Sequence, residues 1–348
     1  MSRATKYSQV IVKASAERSR LLSREYIRNL AECKSLNEMI SQLRGTVYGH
    51  LLGEAENLTA ARLQYLLKEE FVRVYGKILA YSPSEIREML ESYLRYLEVE
   101  NLEILIRMKS MKAPYESIVD RLHLSVEDIL RMKNKFIQAA KANDIKSAIE
   151  NFRNTIYESA LSEGLRRYEE TGSTRFFNFS LSKFYFDNLL ESAKSLPKED
   201  HDVALILAGI KVDTFNIAAI IRSKILNYPP HLTFWTITRH FYLLSEEQVR
   251  NMVSSDDVNS VLDHVRTTYY GRFLASQRSI EETLMSFERN SEDFILRKII
   301  EKRIVEPFTI ASPLDIILRK EAEMKNLILI SSGIEFRWTP EDIVSLLI

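Results

Sequence analysis

One short pattern, apolar-Arg-x-Thr-x-Tyr, limits the fold of this chain more than any other feature, because it occurs three times. Leu43 to Gly49 reads LRGTVYG, Phe152 to Glu158 reads FRNTIYE and Val265 to Gly271 reads VRTTYYG. The threonines Thr46, Thr155 and Thr268 stand 109 and 113 residues apart. A second pattern, acid-x-x-Asn-[Leu/Ile], follows each of them: Glu98 with Asn101, Asp213 with Asn216, Glu323 with Asn326, the asparagines 115 and 110 residues apart. From Tyr to Asn the separations are 53, 59 and 56 residues, so order and spacing both persist. A unit of roughly 110 residues exceeds a solenoid repeat of about 20–50 and matches a small domain. We expect three similar domains, residues 1–120, 121–235 and 236–348.

The units read as helical. Nine glycines and eight prolines in 348 residues leave few turn-makers for a sandwich or barrel, and no stretch alternates long enough for a sheet. Around the first pattern, apolar residues recur at i, i+3, i+7 and i+11 in each copy: Ile40, Leu43, Val47, Leu51; Ile149, Phe152, Ile156, Ala160; Leu262, Val265, Tyr269, Phe273. That spacing predicts one face of an amphipathic helix, with Arg44 placed to lie over Tyr48. Gly45, Gly49 and Gly53 fall on one line and predict a close helix contact. Around the second pattern each Asn lines up with apolar residues four before and four after, so it faces the core. A buried amide needs partners; the acid three residues earlier is in reach, and the pair reads as a register device between helices. Ser82-Pro83-Ser84-Glu85, Ser245 to Gln248 and Thr339-Pro340-Glu341-Asp342 carry helix-start signals.

Several function classes drop out. Equal numbers of basic and acidic side chains, 48 of each, remove the bulk attraction a nucleic-acid binder relies on. Residues 1–28 carry seven basic and two acidic side chains, which reads as a solvated face or a contact for an acidic partner. The most apolar stretch, residues 203–226, is interrupted by Lys211, Asp213, Asn216 and Arg222, and predicts a buried helix, not a membrane span. No phosphate loop or dinucleotide fingerprint can be drawn from the glycines, no H-E-x-x-H pair from the six histidines, and one cysteine, Cys33, makes no zinc cluster. Asp256-Asp257 reads as a loop or helix start. The aromatic clusters Phe176-Phe177-Asn178-Phe179, Phe184-Tyr185-Phe186 and Phe234-Trp235 read as packing. No catalytic, cofactor-binding or metal-binding residue is assigned and no cofactor is expected. Composition and pattern point toward interaction, with a helical enzyme with a carboxylate metal pocket and a general helical adaptor for peptides or proteins both open.

At these anchors the sequence resembles the C subunits of the archaeal and bacterial A-type (V-type) rotary ATPases, whose eukaryotic relative is the d subunit. Residues 21–49, LLSREYIRNLAECKSLNEMISQLRGTVYG, resemble the family's opening, the segments at Asn101, Asn216 and Asn326 its three internal motifs, and residues 312–348 its ending. The resemblance implies an all-α, funnel-like molecule of three pseudo-threefold-related domains. It implies a non-catalytic component of the central stalk on the cytoplasmic face of the membrane, peripheral to it. Such a component links the D and F subunits of the central stalk to the membrane rotor ring of c-type subunits, in proton- or sodium-driven ion transport and ATP synthesis.

Overall fold

The computed structural model describes residues 2–53, 58–275 and 279–348, and among them there are helices and turns but no strand. The acid-x-x-Asn pattern lies on three long helices, Ser84–Ser110, Lys198–Ile225 and Ala311–Glu335. The second and third are buried round most of their circumference, which a surface helix with one apolar stripe is not. Lys198–Ile225 is, among the described residues, the one helix long and apolar enough to cross a membrane, and most of its apolar window is buried inside the protein. The polar interruptions therefore mark a core helix, as expected.

All three helices stop by one device. Eleven residues after the Asn, the backbone of Lys112, Asn227 and Arg337 turns left-handed, with φ of 54°, 55° and 59°. The N–H of the next residue then reaches back to the carbonyl of Met108, Ser223 or Gly333. Glycine usually fills that left-handed position. Here the repeat holds three larger residues there. Two residues later Pro114, Pro229 and Thr339 each open a short helix. Ser245 and Gln248 form the capping box read from sequence, and Thr339 accepts from the Asp342 N–H. Ser82 differs: its hydroxyl donates back to the Ile78 carbonyl and closes the preceding helix.

Residues 1–87 and 296–348 make one compact unit, and residues 88–295 another. In the first, Ala311–Glu335 packs on Ala60–Tyr81 and on Arg3–Arg18. In the second, Lys198–Ile225 packs on Arg175–Lys194, which packs on Glu158–Thr171. The last contact needs Gly164, where any Cβ would overlap the Phe177 ring. The aromatic clusters are packing: Phe176 and Phe179 meet Trp235 edge-on at 5.4 and 6.0 Å, and Phe186 stacks on Phe215 at 4.2 Å.

Candidate functional site

The stripe expected through the first pattern is not one helix. Helices Leu36–Arg44, Ile145–Glu150 and Val258–Arg266 end at the Arg or just before it. Each begins eleven residues ahead of the Thr, at Ser35, Asp144 or Asp257, whose side chain accepts the N–H three residues on. Asp257 is thus a helix start, and the backbone bond from Ser260 holds its carboxyl below the usual range. The Thr hydroxyl then makes the break. It donates to the carbonyl three residues back at 2.6–2.7 Å and accepts the Tyr N–H at 3.1–3.2 Å, in all three copies. Tyr48, Tyr157 and Tyr270 turn inward and are fully buried, while Arg44, Arg153 and Arg266 face solvent. The cation over the Tyr48 ring is accordingly Lys320, 4.3 Å from its centre. The break also separates the three glycines: only Gly49 is tight, its missing Cβ making room for the Arg44 carbonyl, as Gly271 does for Arg266.

Each buried phenol donates to the acid of the second pattern, but in another copy. Tyr157 bonds Glu98, Tyr270 bonds Asp213 at 2.6 Å, and Tyr48 bonds Glu323 at 2.6 Å. The acid therefore does not take the Asn amide, as the three-residue spacing suggested. The surroundings of the acid differ from copy to copy. Asp213 accepts three backbone N–H groups, from Tyr242, Leu243 and Leu244, at 3.0, 2.7 and 3.1 Å. Glu323 accepts from the Leu22 N–H at 2.6 Å and from the buried Lys320 ammonium at 2.7 Å. Glu98 meets Arg95 at 3.1 Å and lies against a second fully buried acid, Glu127. Burial and the Glu98 charge push Glu127 up to about 10, and burial raises Glu98 and Asp213 as well. The three phenols are raised too, by burial first and then by the carboxylate each one faces.

The asparagines do what an inward amide was expected to do. Asn101, Asn216 and Asn326 each accept the backbone N–H 22 residues on, from His123, Thr238 and Ile348, at 2.8–2.9 Å. Their Nδ2 groups donate to acceptors at 3.1–3.2 Å: the His123 carbonyl, Thr238 Oγ1 with the His240 carbonyl, and the Ile348 carbonyl. Each Asn thus pins the return segment behind its own helix stop. Lys109 and Lys224, eight residues after the Asn, donate to carbonyls at the ends of later helices, Ala140 and Ala142 or Val253. The third copy has Ile334 there and lacks that tie.

Beside Tyr48 lies a cleft of about 220 Å³ lined by Glu17, Arg20, His50, Glu70, Arg73 and Lys320. Its acids are matched: Arg73 forks Glu70 with two contacts of 2.7 Å, and Lys77 and Arg20 hold Glu17. Among the described residues no group of three or more His, Cys, Asp or Glu is placed to hold a metal ion. Cys33 is buried and its thiol is pushed up to about 11, the opposite of an activated nucleophile. Outward, the residue before each left-handed stop is apolar and exposed: Met111, Leu226 and Phe336. The tyrosine, threonine and asparagine anchors were legible as a repeat; Glu127 was not, because it belongs to one copy alone, and Lys320 was not, because its position three residues before the acid is basic in the first copy, Arg95, but Ile210 in the second.

Comparison with known proteins agrees with this architecture. The family model described as ATP synthase (C/AC39) subunit matches residues 10–346. The C subunit of the A-type ATP synthase of Methanocaldococcus jannaschii is 25% identical, over 98% of this chain and 86% of its own length. Those of Methanothermobacter thermautotrophicus and Pyrococcus abyssi are 24% and 25% identical, over 95% and 97% of this chain and 85% and 89% of their own. With a whole-length match to the model and a buried anchor repeated three times, this chain belongs to the ATP synthase (C/AC39) subunit family.

Proposed function

We propose that this chain is a non-catalytic rotor component of an A-type ATP synthase, peripheral on the cytoplasmic side of the membrane. It couples the central-stalk pair D–F to the ring of c-type subunits. The observation that carries the reading is the series of phenol–carboxylate bonds. The second copy reaches back to the first, the third to the second, and the first to the third through Tyr48 and Glu323. Such a series supports three repeat domains, residues 1–120, 121–235 and 236–348, each holding a buried bond to another copy. Buried ties of that kind keep a coupling component stiff under load. Apolar, exposed Met111, Leu226 and Phe336 at one repeat position support a partner that meets each copy alike.

Pull-down of the D–F pair and of the detergent-solubilised ring by the full chain tests the proposal. Both are expected to bind, and the chain alone to release no phosphate from ATP. Failure to bind either one removes the coupling role; capture of extended peptides without the ring would make the chain a general adaptor.

A further inference from the structure

One cluster in the unit built from both ends of the chain takes no part in the repeat. Asp315, on the third long helix and fully buried, is surrounded by three arginines. Arg18 Nε and Arg303 Nε both lie 3.0 Å from Oδ2, and Arg319 Nε lies 2.7 Å from Oδ1. The residues come from three helices, Arg3–Arg18, Ile280–Val305 and Ala311–Glu335. Since two of the nitrogens share one oxygen, they are no more than about 6 Å apart, a distance at which like charges repel appreciably in partly buried surroundings.

The charges do not balance: three guanidiniums face one carboxylate. They are neither buried nor free in solvent, being 29%, 24% and 32% exposed. Only the Arg319 Nε–H is aligned as a hydrogen bond; Arg18 Nε, Arg303 Nε and Asp315 Oδ2 are buried without one. All three arginines approach through Nε, and their Nη nitrogens have no hydrogen-bond partner among the described residues. Burial, and then repulsion from Arg303 and Arg319, pull Arg18 below the usual arginine range against the attraction of Asp315. Lys6, on the same helix as Arg18, is by contrast matched by one carboxylate, Glu85. Here the excess is local and held in place by three helices.

We propose that the Arg18–Arg303–Arg319 cluster is a binding site for a phosphate-class oxyanion, with Asp315 fixing the guanidiniums so that their free Nη edges face the ligand. Forked N–H pairs match phosphate oxygens, and a dianion neutralises the excess charge of the cluster. The phosphate comes either free in solution or on a lipid headgroup. Ile304, Val305 and Phe308, exposed next to Arg303 along the chain, are side chains a lipid surface would cover.

The test titrates inorganic phosphate into the full chain at constant ionic strength by calorimetry, and floats the chain with phosphatidylglycerol or phosphatidylcholine vesicles. Phosphate binding that weakens at least tenfold in Arg303→Gln and Arg18→Gln, but not in Arg153→Gln, assigns the site to free phosphate. A silent phosphate titration with flotation only on phosphatidylglycerol, lost in the same two variants, assigns it to a headgroup. No binding in either arm, or binding indifferent to the two substitutions, overturns the proposal. Should Arg303→Gln or Arg18→Gln misfold, Arg319→Lys keeps the charge on Asp315 and removes the fork. It is expected to weaken binding several-fold with an unchanged helical signal, and equal affinity would overturn the proposal.

Discussion

Asp213 and Glu98 occupy the same place in the repeat and accept from the same kind of phenol, yet they live in opposite circumstances. Asp213 is met by four donors, three of them backbone N–H groups fixed by the turn at Tyr242 to Leu244. Glu98 has its phenol and Arg95, one oxygen without a hydrogen bond, and a second carboxyl beside it. Both are fully buried. A buried carboxylate costs several kcal/mol unless donors replace its water. The second copy answers that cost with the backbone, the first with a proton held between two acids, and the third with the Lys320 ammonium on Glu323. Repetition of the anchor therefore does not mean repetition of its energetics, and substitutions at equivalent positions should differ in size and even in sign.

The largest effect is expected where a full charge is removed. Lys320→Met leaves Glu323 with Tyr48 and the Leu22 N–H, and takes the cation from the Tyr48 ring. Breaking a buried pair from one side costs about 3–5 kcal/mol, measurable by urea unfolding. Next comes Asp213→Asn. Its amide can keep one carbonyl oxygen toward Leu243, Leu244 and Tyr270, but turns N–H toward the Tyr242 N–H that Oδ1 accepted. We expect a loss of about 2–3 kcal/mol, with hydrogen exchange faster at residues 242–244. An unchanged exchange pattern would mean that the turn holds itself and the carboxylate merely sits in it.

These two sites also show what the sequence could and could not disclose. Recurrence picked out Tyr48, Tyr157, Tyr270 and the three asparagines, because residues that do the same geometric work recur at the same spacing. It placed the asparagines inward correctly, since their neighbours four residues away are apolar. Spacing does not say which copy a side chain touches, and the acid was assigned to the nearby Asn when its partner lies 57 or 59 residues on, or 275 residues away for Tyr48. The helical stripe misled for a related reason. Val47, Ile156 and Tyr269 keep the apolar rhythm, but the Thr hydroxyl takes the Tyr N–H and breaks the helix beneath them, leaving Ile156 exposed. Glu127 and the arginines around Asp315 belong to single copies, and Lys320 is matched by Arg95 but not by Ile210, so a comparison of all three copies passes over them.

The proton held in the first copy gives the prediction of opposite sign. Unfolded, Glu98 and Glu127 would each lose a proton near the ordinary value of about 4.3. Folded, the pair titrates as a unit and Glu127 keeps its proton up to about 10. The native state binds more protons across that window, so its contribution to stability is full below about pH 4.5 and is lost as pH rises toward about 10. Glu127→Gln replaces the titrating proton with a permanent N–H toward Glu98 and keeps an oxygen for Asn101. Stability at about pH 7 should rise by about 1–2 kcal/mol and its decline toward alkaline pH should flatten, as read from unfolding midpoints between about pH 5 and 9. A destabilised variant with the wild-type pH slope would show that the two acids do not share a proton.

The smallest effect separates the copies by its pH dependence more than by its size. Tyr270→Phe removes one of four donors from Asp213, and the three backbone N–H groups remain, so a cost of about 1 kcal/mol that changes little above about pH 7 is expected. Tyr157→Phe removes one of two donors from Glu98. At lower pH a second proton on the acid pair can compensate, holding the cost near about 1 kcal/mol; as pH rises that second proton is lost, and Glu98 is left with Arg95 and the proton it shares with Glu127. The two phenylalanine variants should therefore run parallel at about pH 5 and diverge by about pH 9, the first copy falling faster. If they stay parallel throughout, Glu98 is as well satisfied as Asp213, and the difference between the two regions lies in their geometry and not in their protons.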